Sequence, residues 1–216
     1  MAEKNINSVS DALTFLSKEP KDIEPCKKEA FRYMGYKSKV KSEEIELLYE
    51  KCLEMYKSSA GYKAVYRRVP IKLYGNTVDF GFCTIENESL AKNLSQCDSA
   101  VVFAATAGAG VDRLIMRCEK LSVVEGMICD CIGSSAIEVW CDEVNKIAVG
   151  EDDSKPRFSP GYGGVSLEYQ RDILSFLDAE RKIGITLNDS LMMSPKKSVT
   201  AFIGIKAHFK EKDNEY

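Results

Sequence analysis

The chain has 216 residues, of which 44% are hydrophobic and 29% are charged, a composition that excludes wholesale disorder. Thirty Lys and Arg residues against 33 Asp and Glu residues give a net charge of -3, which argues against a broad electrostatic surface for nucleic acid or anionic membranes. No apolar run reaches the roughly 18 residues of a membrane span, and the first residues lack the apolar core of a signal peptide. We therefore expect a cytoplasmic protein that binds neither nucleic acid nor membrane.

Eight cysteines and one histidine, His208, limit the chemistry that the side chains could perform. Without an export signal, reduced thiols packed as small hydrophobic groups are favoured over four disulfides. Cys129, Cys131 and Cys141 are close in sequence, but on a regular helix the first two point about 200° apart. We predict no metal site, and a metal or redox role of these three thiols stays as an alternative. A single His also argues against Ser-His-Asp and Cys-His catalysis.

The hydrophobic pattern predicts helices and strands without a repeating strand-helix-strand unit. Ser42 is a typical N-cap, and an apolar helix face follows it up to Gly61. Asn87 can cap a second, short helix. In chain order the pattern predicts a helix over 42–61, a hairpin over 71–80, a short helix after 87, a buried strand over 100–106, helices over 111–121 and 123–145, a loop over 150–164, a helix over 166–183, and strands over 185–187 and 198–205. This mixture favours an α+β fold.

The chain divides into three predicted parts. Residues 1–40 show no clear pattern, and their role stays open. Residues 41–209 are predicted to form one folded domain. Residues 210–216 are mostly charged and predict a flexible tail.

A glycine turn follows the predicted buried strand. The run Thr106-Ala-Gly108-Ala-Gly110-Val-Asp-Arg113 lies between a strand and a helix, which is the context of a dinucleotide-binding turn. Arg113 stands where the third glycine of that motif belongs. A plain strand-to-helix turn is therefore favoured, and a nicotinamide- or flavin-dependent oxidoreductase is kept as an alternative.

The loop over 155–164 contains two prolines, three glycines, two aromatic residues and Arg157. We expect an irregular backbone that presents its amides and carbonyls to a partner and not to a sheet. A guanidinium can hold a carboxylate with two hydrogen bonds, and the face of Tyr162 can lie against a cationic or planar group. The loop thus suggests a site for a zwitterionic or aromatic small molecule. The alternative is a surface loop with Arg157 in a salt bridge.

A glutamate in the predicted helix over 123–145 stands beside apolar residues. Glu138 lies between Ile137 and the Val139-Trp140 pair, so it is either exposed on the opposite helix face or paired. The small residues over 133–136 allow another element to approach this helix closely.

Several of these segments together resemble the activation domain of cobalamin-dependent methionine synthase. The resemblance extends over about 99–205, and the run over 130–138 is similar to stand-alone, single-domain members of that family. The matching segments are Arg157-Phe-Ser-Pro-Gly-Tyr162, Leu177-Asp-Ala-Glu180, Gly184-Ile-Thr-Leu187, Ser190-Leu-Met-Met193-Ser-Pro195 and Ser198-Val-Thr-Ala-Phe-Ile-Gly204. The resemblance implies a twisted, mainly antiparallel sheet packed with helices.

The same resemblance implies a function and a set of site residues. Family members bind S-adenosylmethionine, whose methyl group restores methylcobalamin after one-electron reduction of cob(II)alamin by flavodoxin or another donor. Arg157 would hold the carboxylate of the ligand, and Tyr162 would lie near its methyl group. The remaining implied residues are Ser159, Pro160 and Gly161 as backbone contacts, Glu138 and Glu151 as acids, and Met192, Met193 and Ser194 facing the corrin. No protein nucleophile is required, and the implied enzyme class is a methyltransferase component.

One departure from the long family enzyme concerns cobalamin itself. The Asp-x-His-x-x-Gly signature that supplies a lower cobalt ligand in many corrinoid proteins is absent. We therefore expect cobalamin to be carried by a partner methyltransferase subunit, namely a methionine synthase that lacks its own activation domain. Another corrinoid methyltransferase is the alternative partner.

Overall fold

A computed structural model describes residues 12–36 and 42–207 of the chain. The predicted tail over 210–216 and His208 lie outside the described residues. The described helices are α1 (Lys27–Tyr33), α2 (Glu43–Lys57), α3 (Glu88–Asn93), α4 (Ala109–Leu121), α5 (Val123–Val149), α6 (Tyr169–Phe176) and α7 (Ala179–Ile183). The strands are β1 (Thr14–Lys18), β2 (Tyr62–Pro70), β3 (Lys72–Tyr74), β4 (Thr77–Asp79), β5 (Thr84–Glu86), β6 (Cys97–Thr106), β7 (Thr186–Leu187), β8 (Met193–Ser194) and β9 (Ser198–Lys206).

The main sheet has the order β1-β2-β6-β9, and every neighbouring pair in it is antiparallel. Two small antiparallel sheets, β3-β4-β5 and β7-β8, accompany it. The predicted α+β class with a mainly antiparallel sheet is therefore confirmed. β9 lies at one edge of the main sheet, and this position decides where the candidate site forms.

Strand β6 is buried on both faces, as its continuous apolar sequence predicts. Alternate residues point to opposite faces of a strand. Phe103 packs into a core formed with α1, α2, α4 and α5, whereas Val102 packs into a second core formed with α3, α6, α7 and the β3-β4-β5 sheet. Antiparallel sheets commonly expose one face to water. Here both faces of the central strand are covered.

Helix α5 is the centre of the first core. Its Trp140 is fully buried and donates a hydrogen bond from Nε1 to the carbonyl of Lys63 on β2, at 3.1 Å. The small residues of α5 allow close contacts, as predicted: the Ser135 hydroxyl donates to the carbonyl of Cys26 at 2.9 Å. A Cβ added at Gly133 would lie 3.2 Å from the side chain of Lys197. The helix thereby fixes the loop before β9 against its own surface.

The predicted helix caps are confirmed. The Ser42 hydroxyl accepts a hydrogen bond from the Ile45 amide at 3.3 Å, and the Asn87 side chain accepts one from the Leu90 amide at 2.9 Å. The predicted hairpin forms β3 and β4, and β5 adds a third strand that the pattern did not predict.

The single helix predicted over 166–183 is wrong, because the chain breaks at Asp178 into α6 and α7. Asp178 has a φ of 49°, in the left-handed region. Leu177 and Ala179 flank it, and both are fully buried in the second core. Two residues at that spacing point about 200° apart on a continuous helix. The break lets both of them face the same core.

The glycine turn between β6 and α4 packs against the connection between α2 and β2. A Cβ at Gly108 would lie 2.9 Å from the carbonyl oxygen of Gly61, and one at Gly110 would lie 2.0 Å from that of Ser59. The Gly108 amide donates to the Thr106 hydroxyl at 3.0 Å. Close backbone packing therefore explains the glycines. The strand before the turn, β6, has antiparallel neighbours on both sides, whereas a dinucleotide-binding βαβ unit has parallel strands.

We expect Gly110→Ala to destabilise the protein by about 1–3 kcal/mol, because the added methyl group overlaps the Ser59 carbonyl oxygen. Gly61→Ala is the matched control, since a Cβ there would meet nothing within 4 Å. Urea unfolding of both variants measures the difference. Equal stabilities would contradict the packing explanation.

A second prediction concerns Tyr49, whose buried hydroxyl has no hydrogen-bond partner. Burial raises the pKa of the Tyr49 phenol from 10.0 to about 12. The neutral phenol therefore contributes its full stability below pH 10, and this contribution is lost as the pH rises toward 12. Tyr49→Phe should leave the free energy of unfolding at pH 7 unchanged or slightly higher. Between pH 7 and 12 the variant should lose about 1–2 kcal/mol less of this free energy than the wild type.

Unfolding curves measured from pH 7 to 12 test this expectation. The exposed Tyr74 provides the control variant Tyr74→Phe. Parallel pH profiles for the wild type and Tyr49→Phe would refute it.

Candidate functional site

The site begins at the outer edge of β9, where residues 153–158 run beside the strand as an edge segment. Phe158 and Phe202 exchange two backbone hydrogen bonds, each of 2.8 Å. The Lys155 amide donates to the carbonyl of Gly204, and the Lys206 amide donates to the carbonyl of Asp153. The expectation that this loop keeps its amides away from a sheet is wrong for Lys155 and Phe158. An edge strand has unpaired backbone groups, and the edge segment pairs with them.

The side chain of Arg157 points from the edge segment to helix α5. Its Nη1 donates to Asp142 Oδ1 at 2.6 Å, and its Nη2 donates to Glu138 Oε2. The two acids are four residues apart and therefore lie on the same helix face. Arg157 thus forms the salt bridge that one of the two interpretations expected. Glu138 is paired and half exposed.

The arginine itself is mostly buried, whereas its partners are not. The side chain of Arg157 is 22% exposed, and that of Asp142 is 63% exposed. Burial lowers the pKa of the Arg157 guanidinium, but hydrogen bonds and charge from Asp142 and Glu138 outweigh burial and raise it overall. The guanidinium is therefore charged at every physiological pH, beside two carboxylates that water reaches.

A cavity of about 530 Å³ opens beside this ion-pair cluster. Its volume lies in the range of small-molecule sites. The residues that line it come from α5, the edge segment and the following turn, α6, β8 and β9: Glu138, Arg157, Phe158, Ser159, Pro160, Tyr162, Gln170, Met193, Ser198, Val199 and Thr200.

The turn after the edge segment shapes one wall of the cavity. The Gly161 amide donates to the carbonyl of Val165 at 2.8 Å, and the Tyr162 amide donates to the carbonyl of Ser159 at 3.2 Å. Gly161 has a φ of +92°, which favours glycine. Pro160 is buried in this wall, whereas the Tyr162 side chain is 72% exposed at its rim.

The structure brings together most of the residues implied by the resemblance. Those that line the cavity are Glu138, Arg157, Ser159, Pro160, Tyr162 and Met193. Gly161 shapes the turn without lining the cavity, and Met192 and Ser194 are exposed beside Met193. Glu151 is exposed just after α5 and is not among the lining residues. The ligand-binding roles of all these residues remain predictions.

Among the residues of the site that sequence reasoning missed are Asp142, Gln170 and Thr200. Asp142 could have been found from its spacing of four residues from Glu138. Gln170 lies on the same face of α6 as Ile173 and Leu174, so a polar residue at a predicted core position was the available signal. Thr200 gave no signal beyond its place in a buried strand. Both Gln170 and Thr200 are buried in the structure.

The cysteine alternative gains no support from the geometry. The Cys129 thiol donates to the Cys118 sulfur, with 3.9 Å between the two sulfur atoms, and forms no hydrogen bond with Cys131 or Cys141 in the described part of the chain. Burial raises the pKa of both the Cys131 and the Cys141 thiol. Within residues 12–36 and 42–207, no group of three or more potential ligand side chains could hold a metal ion. None of the helices in these ranges combines the length and hydropathy of a membrane-spanning segment.

Comparison with known proteins identifies the fold. No family model and no curated protein sequence matches the chain. Among solved structures, the chain is similar to the crystal structure of the MetH reactivation domain bound to AdoHcy, with a TM-score of 0.70 and 13% sequence identity. The similarity covers 93% of this chain and 80% of that chain. The two chains share a fold, and the activation-domain-like fold predicted from the sequence is confirmed.

Proposed function

We propose that this protein binds S-adenosylmethionine in the Arg157 cavity and supports reductive methylation of cob(II)alamin on a partner cobalamin-dependent methionine synthase. The observation that carries the proposal is the position of Arg157, which stands between two acids at a cavity of about 530 Å³. The shared fold adds support, because the similar domain was crystallised with AdoHcy, the product that remains when S-adenosylmethionine loses its methyl group.

The charges of the cluster match those of the ligand. S-adenosylmethionine carries a carboxylate, an ammonium group and a sulfonium group, so it needs one cation and one or more anions. Arg157 supplies the cation, while Glu138 and Asp142 supply the anions. On binding, the carboxylate would replace Glu138 at Nη2, and Glu138 would turn to the ammonium group. Arg157, Glu138 and the carboxylate and ammonium groups of the ligand would then each have an ionic partner.

Tyr162 and the neighbouring turn would hold the middle of the ligand. The Tyr162 ring stands exposed at the rim, where it can close over the sulfonium, since an aromatic face attracts a cation. Ser159 and Pro160 form the adjacent wall. A ligand held in this way would be shielded from water on one side and would present its methyl group at the cavity mouth.

The reaction itself requires little chemistry from the protein. Cob(II)alamin accepts one electron from a flavodoxin-like or other donor, and the reduced cobalt displaces the methyl group from sulfur, leaving AdoHcy. The side chains would act by positioning the methyl group and excluding water. Met192, Met193 and Ser194 would face the corrin, which comes with the partner subunit. Glu151 would reach the ligand only if its loop moves toward the cavity.

The binding prediction concerns Arg157→Ala. This variant should bind S-adenosylmethionine at least about tenfold more weakly in a calorimetric titration, because a tenfold change equals about 1.4 kcal/mol and a charge-assisted contact contributes at least that much. Arg157→Lys keeps the charge but cannot form the paired hydrogen bonds, so it should restore only part of the affinity.

Two controls separate binding from folding. Arg181→Ala removes an exposed arginine outside the cavity and should leave the affinity unchanged. The partners of Arg157 are at least half exposed, so Arg157→Ala should cost about 1 kcal/mol of stability or less. A wild type without saturable binding, or an Arg157→Ala variant of unchanged affinity, would contradict the proposed ligand.

The second prediction of this proposal concerns the reaction. A methionine synthase without an activation domain, loaded with cob(II)alamin, should regain methylcobalamin when it receives this protein, S-adenosylmethionine and a one-electron reductant. The cobalamin absorbance spectrum and transfer of a labelled methyl group measure the rate. Arg157→Ala should lower that rate at subsaturating ligand. Equal rates with and without this protein would exclude the function for that partner.

A further inference from the structure

The deep end of the cavity is neutral and contains buried polar atoms without partners. Thr200 on β9 is 2% exposed, and Gln170 on α6 is 6% exposed. Neither the Thr200 hydroxyl oxygen nor the Gln170 Oε1 has a hydrogen-bond partner. Buried polar groups in native proteins are nearly always hydrogen-bonded, and a buried group left unpaired destabilises the protein. We call these two residues the cavity floor.

The backbone of Thr200 adds a second pair of polar groups to the floor. In an antiparallel ladder, residues alternate between pairs that exchange hydrogen bonds and pairs that do not. Phe202 directs its N–H and C=O outward to Phe158, so Phe202 and Val102 on β6 form a pair that exchanges no hydrogen bonds. Thr200 lies two residues away in an unbroken register and has the same orientation. Its N–H and C=O therefore also point away from β6.

The edge segment does not cover these groups of Thr200. After Phe158 the chain leaves the strand through the turn at Gly161, whose amide pairs with Val165 instead. Within residues 12–36 and 42–207, no backbone group forms with Thr200 the hydrogen bonds that Phe158 forms with Phe202. The cavity lies along this stretch of β9, because the consecutive residues Ser198, Val199 and Thr200 all line it.

The floor thus combines donors and acceptors without a formal charge. Of the lining residues, only Glu138 and Arg157 carry charge, and both belong to the ion-pair cluster. A backbone N–H beside a C=O matches a planar group that has an acceptor beside an N–H donor, and a Gln side chain recognises adenine in the same two-bond manner. A carboxylate or an ammonium group would find no counter-charge at the floor.

We infer that the cavity floor, Thr200 and Gln170, is a recognition site for a neutral amide-like edge, with an N–H donor beside an acceptor. This inference rests on the proposed function, within which two groups have that chemistry. One is the adenine base of the S-adenosyl ligand, bound with its amino-acid end at Arg157. The other is a carboxamide arm of the corrin.

Three variants test the floor one group at a time. Thr200→Val removes the hydroxyl and keeps the shape, and Gln170→Leu removes the amide. Thr200→Pro removes the outward N–H together with the hydroxyl, so its difference from Thr200→Val reports the N–H. The outward N–H makes no ladder hydrogen bond, and proline is tolerated at such a position of a sheet. Thr186→Val, on β7 outside the cavity, is the control. Circular dichroism and urea unfolding identify the variants that fold, and any one folded variant suffices.

The first arm compares calorimetric titrations with AdoHcy and with S-inosylhomocysteine, in which an oxo group replaces the 6-amino group. In the inosine analogue the donor and the acceptor of this edge exchange places, whereas the order of the Thr200 N–H and C=O is fixed. For the adenine source, the wild type should therefore prefer AdoHcy by about tenfold or more, the discrimination that one unpaired buried group produces. Gln170→Leu and Thr200→Pro should reduce this preference at least about threefold, whereas Thr186→Val should keep it.

The second arm titrates the same proteins with cobalamin alone and follows its absorbance. For the corrin source, the floor variants should bind cobalamin at least about threefold more weakly, with unchanged affinity for AdoHcy. Folded variants that change neither the AdoHcy preference nor cobalamin binding overturn the inference, while AdoHcy binding by the wild type still supports the proposed function. A wild type that binds neither probe overturns both.

Discussion

The pairing of the edge segment with β9 is the contact on which the candidate site depends. The two hydrogen bonds between Phe158 and Phe202 fix the register of the edge segment, and this register decides where Arg157 lies relative to α5. Helix α5 is itself fixed by buried contacts such as that of Trp140 with β2. The guanidinium is therefore placed by a rigid sheet and a rigid helix, although it belongs to a segment rich in proline and glycine. A binding group placed in this way loses little entropy when a ligand arrives.

The cavity has a gradient of polarity from its mouth to its floor. Charged groups gather at Arg157, where water reaches the two acids, and neutral polar groups gather at Thr200 and Gln170. Ionic groups are least costly where they keep some hydration, whereas buried hydrogen-bonding groups discriminate between neutral ligands most sharply. A ligand that is zwitterionic at one end and heterocyclic at the other can follow this gradient in only one orientation.

Local rules predicted the elements that local interactions decide. The caps at Ser42 and Asn87 and the buried strand β6 follow from a few neighbouring residues each, and all of them occur in the structure. The break at Asp178 could not be predicted in that way, because it results from two buried residues sharing a distant core. The candidate site divides similarly. The Arg157 loop has a recognisable sequence, whereas the role of Thr200 follows only from strand pairing.

The short span of the edge segment also bears on self-association. An uncovered strand at the edge of a sheet can add strands from other chains, which is a common route to aggregation. Residues 153–158 occupy the second half of β9, and the turn at Gly161 ends their pairing just before Thr200. The gap that remains is bounded by that turn and gives a small molecule access to the backbone. An invading strand would need several free residues in a row, so the turn at Gly161 that bounds the proposed ligand site also limits the room for a second chain at this edge.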